Sequence, residues 1–176
     1  MEQAPADSRC EAAVGDVPRY TDLPLPAYAF LPGTDPHPTA DPRGHSYRRP
    51  PPEHPWRPPA GWADCTAYLY GCDLFNRGYF WEAHEAWESL WMGCRRDSTQ
   101  ARYLQGLIQA ANSLLKYRMG RRRAVERLRM EVLRHLAVVP DNFMGLRVQC
   151  WARSLDASLR APERRPYPAL RLSSYL

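Results

Sequence analysis

Residues 78–91, GYFWEAHEAWESLW, bring three tryptophans, one histidine and three glutamates into a single short stretch. Within it His84, Glu85 and Glu88 spell His-Glu-x-x-Glu. This is close to the zincin spelling His-Glu-x-x-His, in which two helical histidines hold zinc and the glutamate acts as general base. With Glu88 in place of the second histidine, His84 and Glu88 stand at i and i+4, one helical turn apart, and could share an ion. Upstream, PHPTADPRGHSY offers His37, Asp41 and His45 as candidates for a third ligand. Such a nitrogen-and-carboxylate site would suit Zn, Mn or Fe. Its generic chemistry would be hydrolysis, with Glu85 as the candidate catalytic base. The spelling alone is weakly specific, and a helical wheel turns Glu85 away from the other two.

On a wheel of roughly 100° per residue, Phe80, His84, Trp87, Glu88 and Trp91 share one face with Trp81 at its edge, while Glu82, Glu85, Ala86 and Ser89 lie opposite. The tryptophans are expected to mark the core side, which would bury His84 and Glu88 together and leave Glu82 and Glu85 in solvent. A carboxylate on an apolar face needs a partner, a metal or a proton. His84 or Arg77 could serve, as could a polar stripe on a later helix: Gln105, Gln109, Asn112 and Lys116. The leading expectation is therefore a polar pocket of Trp81, His84, Trp87, Glu88, Trp91, Gln105, Gln109 and Asn112. It would hold helices in register or receive a small molecule or a protein partner. A divalent-metal site is the alternative. A second alternative is weak nucleic-acid binding through the arginine-rich helix at 121–134. There Val125, Leu128, Val132 and Leu136 form the core stripe, and Arg122, Arg123, Arg127, Arg129 and Arg134 mostly face outward. Glu126 and Glu131 interrupt that face and no exposed aromatics interleave it, so a solvated helix face is favoured over a nucleic-acid surface.

The elements that must position these groups are helical from Trp62 onward. The period predicts helices over about 62–75, 79–92, 98–119, 122–137 and 144–159. Ser98 or Thr99 would cap the third, Gly120 would end it, and Pro140 would end the fourth. Short connections favour antiparallel neighbours, so the fold expected is an all-α bundle of about five helices. Fourteen of the eighteen prolines precede Gly61, which excludes sustained helix there. The expected organisation is a flexible lead at 1–18, a Pro-rich extended arm at 19–61, the bundle at 62–160 and an extended tail at 161–176. Tyr20, Leu23, Leu25, Tyr28, Phe30 and Leu31 are more apolar than a solvated linker needs, so the arm should lie on the bundle, turning near Pro32-Gly33 and Arg43-Gly44. RRPPPEHPWRPP reads as a polyproline spacer.

Two motifs in order, LFNRGYFWEAHEAWESLW and YLQGLIQAANSLLKYRMG, resemble the bacterial and archaeal family called domain of unknown function 309. The hallmarks correspond to Asn76, Gly78, Phe80, the run from His84 to Trp91, and Gln105 to Gln109. Ser89 departs from the pattern, where many members carry a second glutamate. The likeness spans about residues 66–150, and LPGTDPHPTADPRGHSY also resembles an extension found in some members. It implies an all-helical fold and no established activity.

Composition narrows the classes. The net charge of +5 is unevenly placed: residues 1–60 hold six arginines against eight acidic residues, whereas 95–134 hold eleven basic and three acidic. No apolar run is long enough to span a membrane, and the first twenty residues lack the apolar core of a signal peptide, so a cytoplasmic protein is expected. The five cysteines never fall as Cys-x-x-Cys, which argues against a disulfide framework or a zinc ribbon. A homo-oligomer is compatible with all of this. No Gly-x-Ser-x-Gly elbow or phosphate-cradling glycine loop occurs.

Overall fold

In the computed structural model the chain is described over residues 17–49 and 56–173, so most of the expected lead and the centre of the polyproline spacer lie outside the described residues. Five α-helices follow a 3-10 segment at Pro59–Asp64: α1 Thr66–Asn76, α2 Phe80–Met92, α3 Thr99–Arg118, α4 Arg122–Leu136 and α5 Val148–Arg160. The all-α bundle is what forms. Helix α3 is central, packing on α2 along one side and α4 along another, with α1 against α2 and α5 against α4.

Local chemistry accounts for the boundaries. The Ser98 hydroxyl accepts the Ala101 amide at 3.1 Å and caps α3, while Lys116 and Arg118 place positive charge at its carboxyl end. Gly78 has φ +81° and lets the Tyr79 amide reach back to the Leu74 carbonyl at 2.9 Å, closing α1. The expected first helix began too early, because residues 59–64 wind as a 3-10 turn broken at Gly61. The last helix also begins later than expected. Residues Asn142–Phe143 and Leu146–Arg147 pair as a two-stranded ladder, turned by Met144 at φ +46° and Gly145 at φ +78°. Two successive positive φ values make a tight hairpin turn, and a methionine in the first of these positions hid it.

The core stripe of α2 is Phe80, Ala83, Trp87 and Leu90, all buried, and Cys94 just past its end is buried too. Trp87 is fully enclosed, and its indole N–H donates to the Tyr68 carbonyl at 3.3 Å. The indole lies so close to α1 that a Cβ on Gly71 would stand 2.3 Å from its Nε1. Helix α3 meets α4 in the same manner, since a Cβ on Gly106 would stand 2.3 Å from Leu136. Cys65, Cys72 and Cys94 are free and buried, as structural thiols should be, but Cys150 is disulfide-bonded, against the reading drawn from spacing.

Gly71→Ala is expected to destabilise the protein by ~1–3 kcal/mol through overpacking, despite the ~1 kcal/mol that alanine ordinarily contributes over glycine in a helix. Gly61→Ala, whose Cβ would meet nothing within 4 Å, should be near neutral. Urea unfolding of both variants measures the difference.

Candidate functional site

Helix α2 carries two polar groupings on either side of its core stripe, and they differ from the expected one. Trp81 and Trp91 are half-buried flanking residues rather than core. His84 and Glu88 are likewise half-buried on that flank. The glutamate that is buried is Glu82, at 6% exposure, which the wheel had sent to solvent. The reason is the arm. Phe30, His37 and His45 of the arm reach Trp81 and Glu82 in the first turn of α2, so that turn is covered beyond its core stripe. The Phe30 amide donates to Glu82 Oε1 at 2.9 Å, and His45 Nε2 lies 3.0 Å from the same oxygen. The Phe30 ring meets Trp81 edge-on at 5.4 Å between centroids. Glu82 Oε2 is buried without a hydrogen bond.

Helix α1 holds the chain on both sides in the same manner. The Asp73 carboxylate, 1% exposed, accepts the Tyr20 amide at 2.7 Å and both the amide and hydroxyl of Thr21 at 2.8 Å. Arg77 lies 3.7 Å from the same carboxylate, so it serves Asp73 and the arm rather than Glu88. Asn76 pairs with the tail twice, its Nδ2 donating to the Leu170 carbonyl at 3.0 Å and its Oδ1 accepting the Leu170 amide at 2.7 Å. Leu170 and Leu172 are fully buried. The Tyr20 hydroxyl joins arm to tail, donating to the Leu170 carbonyl at 2.9 Å and accepting the Leu172 amide at 2.8 Å. Burial pushes the Tyr20 phenol up to about 12.

The three arm candidates for metal ligation are engaged elsewhere. His37 Nδ1 accepts the Thr39 and Ala40 amides at 3.3 Å and holds a turn. Asp41 pairs with exposed Arg43, whose hydrogen bonds, helped by its charge, hold the carboxyl below the usual range. His45 serves Glu82 and Ser46. Glu85, which the wheel separated from His84, is 47% exposed, yet its long side chain curls back to place Oε1 3.1 Å from His84 Nε2. Gln105, Gln109 and Asn112 form a half-buried line on α3, and none hydrogen-bonds His84 or Glu88 among the described residues. A surface cavity of about 260 Å³ lies elsewhere, lined by Tyr117, Arg122, Val125, Glu126, Arg129, Leu159, Arg160 and Pro162.

The arginine face of α4 is largely paired. Arg129 is buried between Glu126 and Asp156, Arg122 meets Glu163 at 2.7 Å and Arg134 meets Glu131 at 2.5 Å. Of the five arginines expected to face outward, Arg129 points inward, and three are neutralised. Arg123 and Arg127 remain exposed. Among the described residues no helix is long and apolar enough to cross a membrane.

The turn Asn76-Arg77-Gly78, the α2 motif and the start of α3 now stand in one continuous helical unit. Residues 68–128 match the family described as Domain of unknown function (DUF309). The likeness read from the two motifs is therefore real over α1, α2, α3 and the first half of α4. No curated protein matches the chain. Asp73, Asn76 and Glu82 all lie inside the DUF309 segment, whereas the arm and tail they bind lie outside it.

Sequence reasoning missed Asp73 and Glu82 as anchors. The only signal for them was an apolar arm that had to lie on something. Tyr20 supplies a pH test. Its folded value is raised above the ordinary phenol value of 10.0 to about 12, so its share of stability is complete below pH 10 and is lost as pH rises through 12. Tyr20→Phe is expected to be less stable than the parent at pH 8 and to lose less further stability between pH 10 and 12, measured by fluorescence-detected unfolding.

Proposed function

We propose that the DUF309 segment of this protein is a helical clasp for extended polypeptide, and that its own arm and tail fill it. The reading develops the expectation of a structural or partner-binding site and moves it from the His84–Glu88 pair to Asp73, Asn76 and Glu82. One observation carries it: three buried polar side chains of the segment bind backbone groups of chain that lies outside the segment.

The chemistry suits this task. An extended chain carries unpaired N–H and C=O groups, and each must find a partner when it is buried. A buried carboxylate has the complementary need, since its desolvation is offset only by donors around it. Binding backbone rather than side chains lets one receptor accept varied sequence, as in other modes of extended-peptide recognition. Apolar side chains add the remaining contact: Phe30 is buried, and Tyr20, Leu25 and Leu31 pack on the core.

Removing a charged acceptor typically costs ~1.5–3 kcal/mol, which shifts an opening equilibrium by ~10–100-fold. Glu82→Ala and Asp73→Ala are therefore expected to speed tryptic cleavage within the arm, at Arg43 and Arg48, by at least about tenfold while the helical body persists. Glu85→Ala should leave that rate unchanged. Equal cleavage of all three variants and the parent would show that the arm is not held by these carboxylates.

A further inference from the structure

The other flank of α2 holds a different group, which the clasp does not use. His84 Nδ1 is bonded to the Trp81 carbonyl one turn back. An imidazole nitrogen in contact with a carbonyl donates there, which commits Nδ1 and leaves Nε2 as the ring atom that a metal ion, by displacing any proton, would take. Nε2 lies 3.1 Å from Glu85 Oε1, and one ligand atom each from His84, Glu85 and Glu88 lie within 4.8 Å of one another. The imidazole side chain is 15% exposed, and its ring packs edge-on against Trp81 at 5.7 Å between centroids. Three residues beyond Glu88, Trp91 has a buried indole N–H with no acceptor. Arg96 stacks on the Trp91 ring at 4.5 Å.

The geometry points to a binding site for one divalent transition-metal ion at His84, Glu85 and Glu88, with none of its ligands drawn from the arm. Two ligand atoms each ~2.1 Å from an ion stand at most ~4.2 Å apart. The three atoms therefore need only a small rotamer adjustment to close on one. The Nδ1–H to carbonyl bond is the support that metal-ligating histidines usually have, since it fixes ring orientation and tautomer. One imidazole nitrogen with two carboxylate oxygens favours Zn²⁺, Mn²⁺ or Fe²⁺ over an all-oxygen ion such as Ca²⁺. A three-ligand site leaves further positions for water or an anion. Glu85 is thus a ligand in this site and not its general base.

The test uses the full chain, stripped with chelator and titrated with ZnCl₂ and, separately, MnCl₂ by isothermal calorimetry. ¹⁵N-histidine NMR follows the ring nitrogens in parallel. The expected result is saturation at one ion per chain, with a large shift confined to His84 Nε2. His84→Ala and Glu88→Gln should each weaken binding by more than about tenfold, as loss of even a supporting residue costs ~10–100-fold. Glu88→Gln is isosteric on a half-buried flank, so it keeps the test decisive if His84→Ala does not fold. Glu163→Gln, in the exposed pair with Arg122, should leave the affinity unchanged. Absence of saturable binding of either ion would overturn the site, and so would binding that survives Glu88→Gln or shifts a histidine other than His84.

Discussion

The interaction on which the molecule turns is that of a buried carboxylate with the backbone N–H groups of an extended chain. Asp73 and Glu82 project from adjacent helices into surroundings that exclude water, and neither could remain there unpaired. The helices supply almost no donors for them, because helical amides are already committed within their own turns. The donors come from the arm, at Tyr20, Thr21 and Phe30, with His45 beside Glu82. The arm has the matching deficit, since proline breaks every regular ladder that could have satisfied its backbone. Each partner thus corrects what the other lacks, and Asn76 repeats the arrangement for the tail with both halves of its amide.

This constraint also explains the composition of α2. Its core stripe is sealed by Trp87 against Gly71, which sets the spacing of α1 and α2. With that spacing held, Asp73 and Asn76 on α1 and Glu82 on α2 present their polar ends from one paired unit. The Trp81 ring lies between the two polar groupings. It meets Phe30 of the arm, and its carbonyl holds His84. One residue therefore borders both the clasp and the proposed metal site, while the polar partners of the two remain separate.

Much of the helical framework was legible from the chain alone. Alternation at helical spacing, the Ser98 cap and the glycines at 78 and 120 place α2, α3 and α4 within a residue or two of where they lie. The site was less legible, for two physical reasons. Tryptophan is large and amphipathic enough to sit at a boundary, so three tryptophans drew the buried face toward His84 and Glu88, whereas small Ala83 and Leu90 mark the actual stripe. The partners of Glu82 lie 52 and 37 residues away, in a segment without periodicity, and no local pattern reports them. His84 and Glu88 are neighbours by helical geometry and could be paired on paper. That Glu85 would bend round to join them depends on its rotamer, which spacing does not encode.

The most direct measurement of the central claim is amide hydrogen exchange by NMR on the intact chain. The amides of Tyr20, Thr21, Phe30 and Leu170 lie in segments without regular secondary structure and have side-chain acceptors as partners. If those acceptors hold the arm and tail, all four should exchange far more slowly than free peptide, and Glu82→Ala should release Phe30 while leaving Leu170 slow. Exchange of these four amides at free-peptide rates in the unmodified protein would contradict the account.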